Sequence, residues 1–495
     1  MFKQERKYYA RAFLYALAMA GVLLLPFVII DRGFFVYYGD YNAQQMPFYK
    51  TCIEAVQSGN FGWNWKTDLG ANFVGSYSFY TLGSPFFWFA ALFPVAISQY
   101  LMAPLLALKI ALSSFFAFVF IRRFVTKPQN ALIGGLLYAF SGYSMYNIFF
   151  NHFHEAIVFF PLLLIGLEEA VVNKRRGALA LAVAINAFVN YFFFIGECIF
   201  LVLYFIARLI GDSRFRFGVR DFFCLAFEAV CGVLIAGILF VPSIFQVLDV
   251  PRSTSMLNGW DFLFYNKNQR YGLILEAMFF PGEIPARSSM FESADAKWSS
   301  VALFLPLFSL SGVLALVKGA STEALRRMKW LRILLPACFV ITMIPGLNSS
   351  FVLFNYSFYT RWWYMPELLC ALATVYVLEP EEFAALHGED SAVLCRDELG
   401  IIRHYRRGMH DEVSAPDVLR GMPQVHRNTH LAHCVQGGGF VVIRAGEVIP
   451  LGMQNLCQGV HSRAAYADKV NVLFSSKKIF HGKTPSFGIV ITIIV

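Results

Sequence analysis

Residues 12–30 read AFLYALAMAGVLLLPFVII, with Lys3, Arg6, Lys7 and Arg11 standing before them. An uncharged apolar run of that length spans a bilayer as a helix. The basic flank puts its amino end in the cytoplasm, and no small-residue cleavage site follows, so the run is a first transmembrane helix. The rest of the chain has the same character. Its 495 residues are 57% apolar, 17% aromatic and 15% charged, against a soluble average of roughly 25% charged. A soluble domain could not hide that much apolar surface, so the class is an all-α polytopic integral membrane protein. The nine Cys are scattered without CxxC pairs and read as small core residues. The net charge of +9 comes largely from Lys and Arg in short connectors between apolar runs, which argues against nucleic acid as a partner.

Composition changes abruptly near residue 380. Only 7 of the aromatic residues follow Glu379, whereas 8 of the 10 His do, so residues 1–379 read as the membrane domain and 380–495 as a separate polar, His-rich tail. In that tail His426, His430 and His433 have a metal-like spacing, but no helical or strand period supports it.

Parity between basic clusters counts the crossings. The runs Ala12–Ile30, Leu101–Ile121, Ala131–Phe150 and Glu155–Val172 are single spans. Gly177–Arg208 is basic at both ends and must be a hairpin turning near Asn190–Glu197. Phe222–Val247, Trp298–Val317, Ile333–Leu347 and Trp363–Leu378 bring the total to about ten, with both termini cytoplasmic. Gly83–Ser98, with Pro85 and Pro94, would break parity and therefore dips without crossing. This map leaves two large outer loops, 31–83 and 248–297. Long loops on a rigid scaffold concentrate function.

The polar residues of interest fall on that outer side. Asp40 follows the first helix closely, and Gln44 lies one helical turn on. A carboxylate at that depth is a proton-acceptor candidate, or else it caps the next helix in competition with Asn42. Trp65-Lys66-Thr67-Asp68-Leu69-Gly70 reads as a turn, with Asp68 a second candidate for catalysis or sugar contact. His152-Phe153-His154-Glu155 could bind a metal or simply start a helix. Arg361, flanked by Trp362 and Trp363, suits a phosphate at headgroup level or a snorkelling interface position. Arg252, Lys267 and Arg270 are further phosphate candidates. Glu197, Glu228 and Lys109 lie inside apolar blocks, where ionisable groups are functional or paired. No Walker A, GxGxxG or GxSxG motif occurs in the right context.

The segment Tyr38-Gly39-Asp40-Tyr41-Asn42-Ala43-Gln44-Gln45-Met46-Pro47-Phe48 resembles the first-outer-loop signature of the bacterial YfhO-type membrane proteins. Trp65–Gly70, Asn190-Tyr191-Phe192-Phe193 and Tyr359–Pro366 are similar to later blocks of that family, in the same order, and the likeness covers about Tyr8–Glu379. The resemblance implies a GT-C-like bundle in a bacterial plasma membrane. It implies a glycosyltransferase that takes a sugar from a polyprenyl-phosphate donor on the outer face, with Asp40 as the acidic residue of the first outer loop. The acceptor would be a cell-wall polymer, such as lipoteichoic acid, or a glycolipid. The donor set for a divalent metal is not visible. The relatives continue past Glu379 with further membrane helices, so a frameshift or truncation is expected here, and with it an inactive family member as one reading. A transporter or flippase of a lipid-linked substrate is the reading from another class, with Glu197, Glu228 and Lys109 as its marks.

Overall fold

The computed structural model describes residues 2–379 except 38, 68, 249–256, 258, 283–289, 292–293, 295–297, 319–327 and 355–356, together with 432–434, 441–443 and 491–493. The chain divides into two compact units, Met1–Leu386 and His387–Val495. In the second unit the described residues form a three-stranded antiparallel sheet, β1 (Ala432–Cys434), β2 (Val441–Ile443) and β3 (Ile491–Ile493), with β2 central.

The first unit is helical. Its long helices are α1 (Phe2–Ile30), α2 (Met46–Gln57), α3 (Ser98–Ile121), α4 (Pro128–Ala139), α5 (Phe153–Val171), α6 (Ala178–Val189), α7 (Tyr191–Gly211) and α8 (Val219–Leu248). They continue with α9 (Gln269–Phe279), α10 (Ser311–Lys318), α11 (Lys329–Met343) and α12 (Tyr364–Val377). Among the described residues four stretches are long and apolar enough to cross a membrane: Arg6–Ile30, Val95–Ile121, Tyr191–Gly211 and Val219–Gln246. Two shorter apolar helices, α6 and α12, join them.

Packing explains the arrangement. α3 lies against α1, α4 and α5; α6 against α5 and α8; α12 against α4 and α10; α11 against α7. Every residue of α12 is buried, Glu367 and Thr374 among them, as in a helix enclosed by its neighbours on all sides. α1 and α8 do the reverse. Leu14, Val22, Leu25 and Ile29 on α1, and Phe227, Leu234 and Ile238 on α8, are exposed. At about 25 cal/mol per Å² such rows would be costly in water and cost nothing against lipid tails. Proline inside α1, α3, α5, α8 and α11 is tolerated in the same setting.

The breaks are specific. α6 and α7 are separated by one residue, Asn190, whose backbone is extended (φ −158°, ψ 104°). Its Oδ1 accepts from the N–H groups of Phe192 (3.1 Å) and Phe193 (3.4 Å), capping α7. Gly83–Ser98 carries only the helix Pro85–Ala90 and a 3₁₀ turn, Val95–Ile97, neither long enough to span. α4 stops at Ala139 and gives way to the short turns Gly142–Tyr146 and Asn147–Phe149, so Ala131–Phe150 is not one continuous helix.

Trp298–Val317 differs more from expectation. Only α10, at its end, is helical, while Val301, Ala302, Leu303 and Leu305 are buried in irregular backbone. Trp298, Ser300, Leu307 and Ser309 all take positive φ, and Pro306 has no N–H to donate. The backbone is satisfied from outside. Thr360 N and Oγ1 donate to Ser299 O (2.9 and 3.1 Å), and Leu303 N donates to Ala277 O (2.9 Å). Non-helical backbone in a membrane protein persists where protein surrounds it.

Candidate functional site

The first loop is folded rather than slack. A π-helical turn, Tyr41–Gln45, runs straight into α2, and a second, Ser78–Leu82, follows the short helix Phe73–Tyr77. Single π turns recur at functional sites because they re-aim side chains. Asn42 does not cap the helix. It clamps Tyr37, accepting from Tyr37 N (3.0 Å) and donating to Tyr37 O (2.9 Å). Asp40 stands at the N-terminus of the turn and makes no side-chain cap hydrogen bond there, so its half-buried carboxylate is not spent on capping. Gly39 beside it has φ +54°, and a Cβ there would fall 2.4 Å from Trp298 Cη2. Only glycine meets both conditions.

Arg361 lies in the turn that leads into α12. Its carbonyl accepts from Tyr143 Oη at 2.5 Å. Its guanidinium lies 3.9 Å from the Tyr359 ring centroid and 5.2, 5.6 and 5.8 Å from those of Phe153, Phe150 and Phe192. Arg361 Nε is buried with no hydrogen-bond partner. Burial pulls the Arg361 pKa below the ordinary arginine value, while Tyr359, Tyr143, Tyr80 and Asp40 work to keep the cation charged. Asp40 is the smallest of these four contributions.

His152 completes the recess. It is buried in the turn before α5, with Nδ1 3.1 Å from Gln45 Oε1 and its ring against Phe79 (4.6 Å) and Tyr80 (4.9 Å). Burial, then the charges of Arg361 and Lys109 and the neighbouring His154, hold its pKa well below the usual histidine value. His152 Nε2 and Gln45 Nε2 are buried without partners. Arg361 Nε is a third such nitrogen, and Phe150 lies against both Arg361 (5.6 Å) and His152 (6.0 Å); buried groups of this kind are normally paired.

The other candidates have different surroundings. Glu155 forms a sealed ion pair with Lys109 (2.9 Å) and accepts from Ser84 Oγ, while Lys109 also donates to Asn151 O (3.0 Å). This knot fixes the turn that presents His152. His154 Nε2 lies 2.9 Å from Ser144 O. Arg270 is buried, and its guanidinium donates to Ala294 O (3.3 Å), Ser299 Oγ (3.2 Å) and Phe358 O. It braces the loops on either side of the recess. Gln44 is half-buried, and it is the neighbouring Gln45 that meets His152. Glu228 Oε2 accepts from Leu179 N (3.2 Å) at the start of α6, so Lys109 has Glu155, not Glu197 or Glu228, as its partner. Asp68, Arg252, His426 and His430 lie outside the described residues. Among the described residues no group of three His, Cys, Asp or Glu is placed to hold a metal ion, and His152, His154 and Glu155 are engaged separately. These donors therefore do not fit a divalent ion as a set.

The sequence pointed to Asp40 and Arg361 but not to Gln45, Tyr80, Tyr143 or Tyr359. Of these, Gln45 and Tyr359 lie in the family-like blocks, and Tyr80 and Tyr143 carry no sequence signal of their own. The family model described as "Bacterial membrane protein YfhO" matches residues 12–388. No curated protein and no solved structure matches the chain. The match covers well over half of the sequence, and the chain belongs to the YfhO family of membrane proteins.

Proposed function

With membership of the YfhO family as the premise, we propose that this protein is a membrane glycosyltransferase that moves a sugar from a polyprenyl-phosphate donor to a cell-envelope acceptor. The observation that carries the reading is the Arg361 guanidinium, packed among the rings of Tyr359, Phe153, Phe150 and Phe192, with Asp40 acting on its charge from the first loop. Arg361 brings a buried Nε with no protein partner to that recess.

The chemistry follows from those groups. Arg361 binds the donor phosphate, for which a planar guanidinium offers a two-pronged fit. Asp40 accepts the proton of the acceptor hydroxyl as its oxygen attacks the anomeric carbon. The bond from that carbon to the phosphate oxygen breaks, and its electron pair leaves with the lipid phosphate, whose charge Arg361 stabilises. Attack opposite the leaving group in one displacement inverts the anomeric centre. In this reading Gln44, Gln45 and His152 contact sugar hydroxyls. His154 and Glu155 keep the His152 turn in position, and Arg270 frames the recess.

The test uses proteoliposomes of the full chain with a polyprenyl-phosphate carrying a labelled hexose, and bacterial envelope membranes as acceptor. Label should pass to a product no longer extractable as donor, with free polyprenyl phosphate released. The competing reading, a transporter of a lipid-linked substrate, is favoured by the buried acids Glu197 and Glu367. It predicts movement of the labelled donor across the bilayer with no transfer.

A further inference from the structure

Among the described residues four buried acids have no ion pair, Glu197, Glu228, Glu367 and Glu379, and Glu197 and Glu367 are the most deeply buried of them. Glu197 on α7 is 1% exposed; its Oε1 accepts from Tyr364 Oη at 2.8 Å, and its Oε2 is buried with no partner. Glu367 on α12 is 0% exposed; its Oε1 accepts from Tyr143 N at 3.4 Å, and its Oε2 also has no partner. The rings of their two tyrosine partners, Tyr364 and Tyr143, lie 5.5 Å apart, so the two acids share one neighbourhood.

The contrast with the ion-paired buried acids is internal to the molecule. Glu155 has Lys109 at 2.9 Å, and Glu168 has Arg208 at 2.8 Å. Among the described residues no ion pair reaches Glu197 or Glu367. The titratable groups that face Glu197 are Tyr364, Tyr138 and Cys198, and those that face Glu367 are Tyr138, Tyr143 and Cys370. None of these is a cation. Arg361 acts on one member of this set, Tyr143.

An ionised carboxylate in such surroundings lacks both water and a counter-charge, whereas a protonated carboxyl carries no charge to solvate. We propose that Glu197 and Glu367 hold protons at neutral pH and form a proton-binding site in the bundle interior. Tyr143 joins that site to the recess, since its N–H meets Glu367 and its hydroxyl meets the Arg361 carbonyl. This inference does not depend on the glycosyltransferase reading, because it concerns different groups and a different readout.

Dicyclohexylcarbodiimide tests it on the unmodified full chain. The reagent adds to a protonated carboxyl: the acid proton passes to one reagent nitrogen and the carboxyl oxygen bonds to the central carbon, and acyl migration then gives a stable adduct containing the whole reagent. At pH 7 in liposomes, peptides containing Glu197 and Glu367 should gain that mass, and those containing Glu155 and Glu168 should not. The second arm is infrared difference spectroscopy, in which Glu197→Gln and Glu367→Gln should each remove intensity from the carbonyl band of protonated carboxylic acids. The proposal is overturned if the ion-paired acids are labelled as strongly as Glu197 and Glu367, or if neither Gln variant alters that band. Suppression of the labelling by sodium ions would also overturn it, showing that the acids hold a metal cation instead. The labelling arm stands even if a Gln variant fails to fold.

Discussion

Arg361 is the residue whose environment is hardest to explain without a ligand. The residue is half-buried, its guanidinium is packed among aromatic rings, and the buried Nε has no partner. Arg361→Lys keeps the charge and loses the planar fork. Charge-assisted hydrogen bonds contribute about 1.5–3 kcal/mol, so affinity for a polyprenyl phosphate should fall roughly 10- to 100-fold in a direct binding measurement. His152 gives a pH prediction. Burial and the nearby Arg361 keep its folded-state pKa well below the ordinary value, so the unfolded chain binds its proton first as pH drops. The stability that the neutral ring contributes is fully present above about pH 6.5 and is lost progressively below it. Thermal unfolding in detergent should therefore shift down between pH 7 and pH 5, and His152→Gln should flatten that slope. An unchanged slope would remove His152 from the account. Asp40 and Arg361 are legible in the sequence because an acid just beyond a membrane helix and an Arg between aromatics are unusual. The aromatic surroundings of Arg361, and the Gln45–His152 contact, depend on tertiary folding that no local pattern encodes.

At the scale of elements, the ends of the helices carry the testable claims. Asn190 caps α7, and its Nδ2 also donates to Phe79 O at 3.0 Å, tying the α6–α7 break to the second π turn. Asn190→Ala should cost about 0.5–2 kcal/mol for the cap alone. Thermal unfolding in detergent would check this, and an unchanged midpoint would contradict the assignment. Glu379 closes the other side. It accepts from Lys127 N (3.3 Å), Asn130 Nδ2 (2.7 Å) and Thr126 Oγ1 at the start of α4. A chain ending at residue 378 should therefore melt lower than one ending at 388. The break at Asn190 was readable from charge parity. Trp298–Val317 was misread because apolar composition alone does not separate a spanning helix from buried irregular backbone. Its run of positive φ and its bonds to Thr360 and Ala277 are tertiary facts. The partner of Lys109 was invisible for the same reason, since Glu155 is distant in sequence.

For the whole molecule, composition alone distinguishes a membrane unit from a polar tail, and the family match ends at residue 388. The number of crossings is less legible, because helices broken at Ala139 and Asn190 do not divide into simple spans. The topology proposal remains direct to check. On a cysteine-free background, an impermeant thiol reagent added outside cells should label Cys placed at Ser76 or Asn266 and miss one placed at Asn173. Labelling at Asn173 would invert or break the parity map. The central claim is that Asp40 removes a proton while Arg361 holds the lipid phosphate. The most direct test is Asp40→Asn in proteoliposomes, measuring transfer from a polyprenyl-phosphate sugar and donor binding on the same preparation. General-base assistance accounts for about 10²–10⁴-fold in rate, so transfer should fall by that order while donor affinity stays near wild type. Near-normal transfer by the Asn variant, with its fold and donor binding intact, would contradict the account.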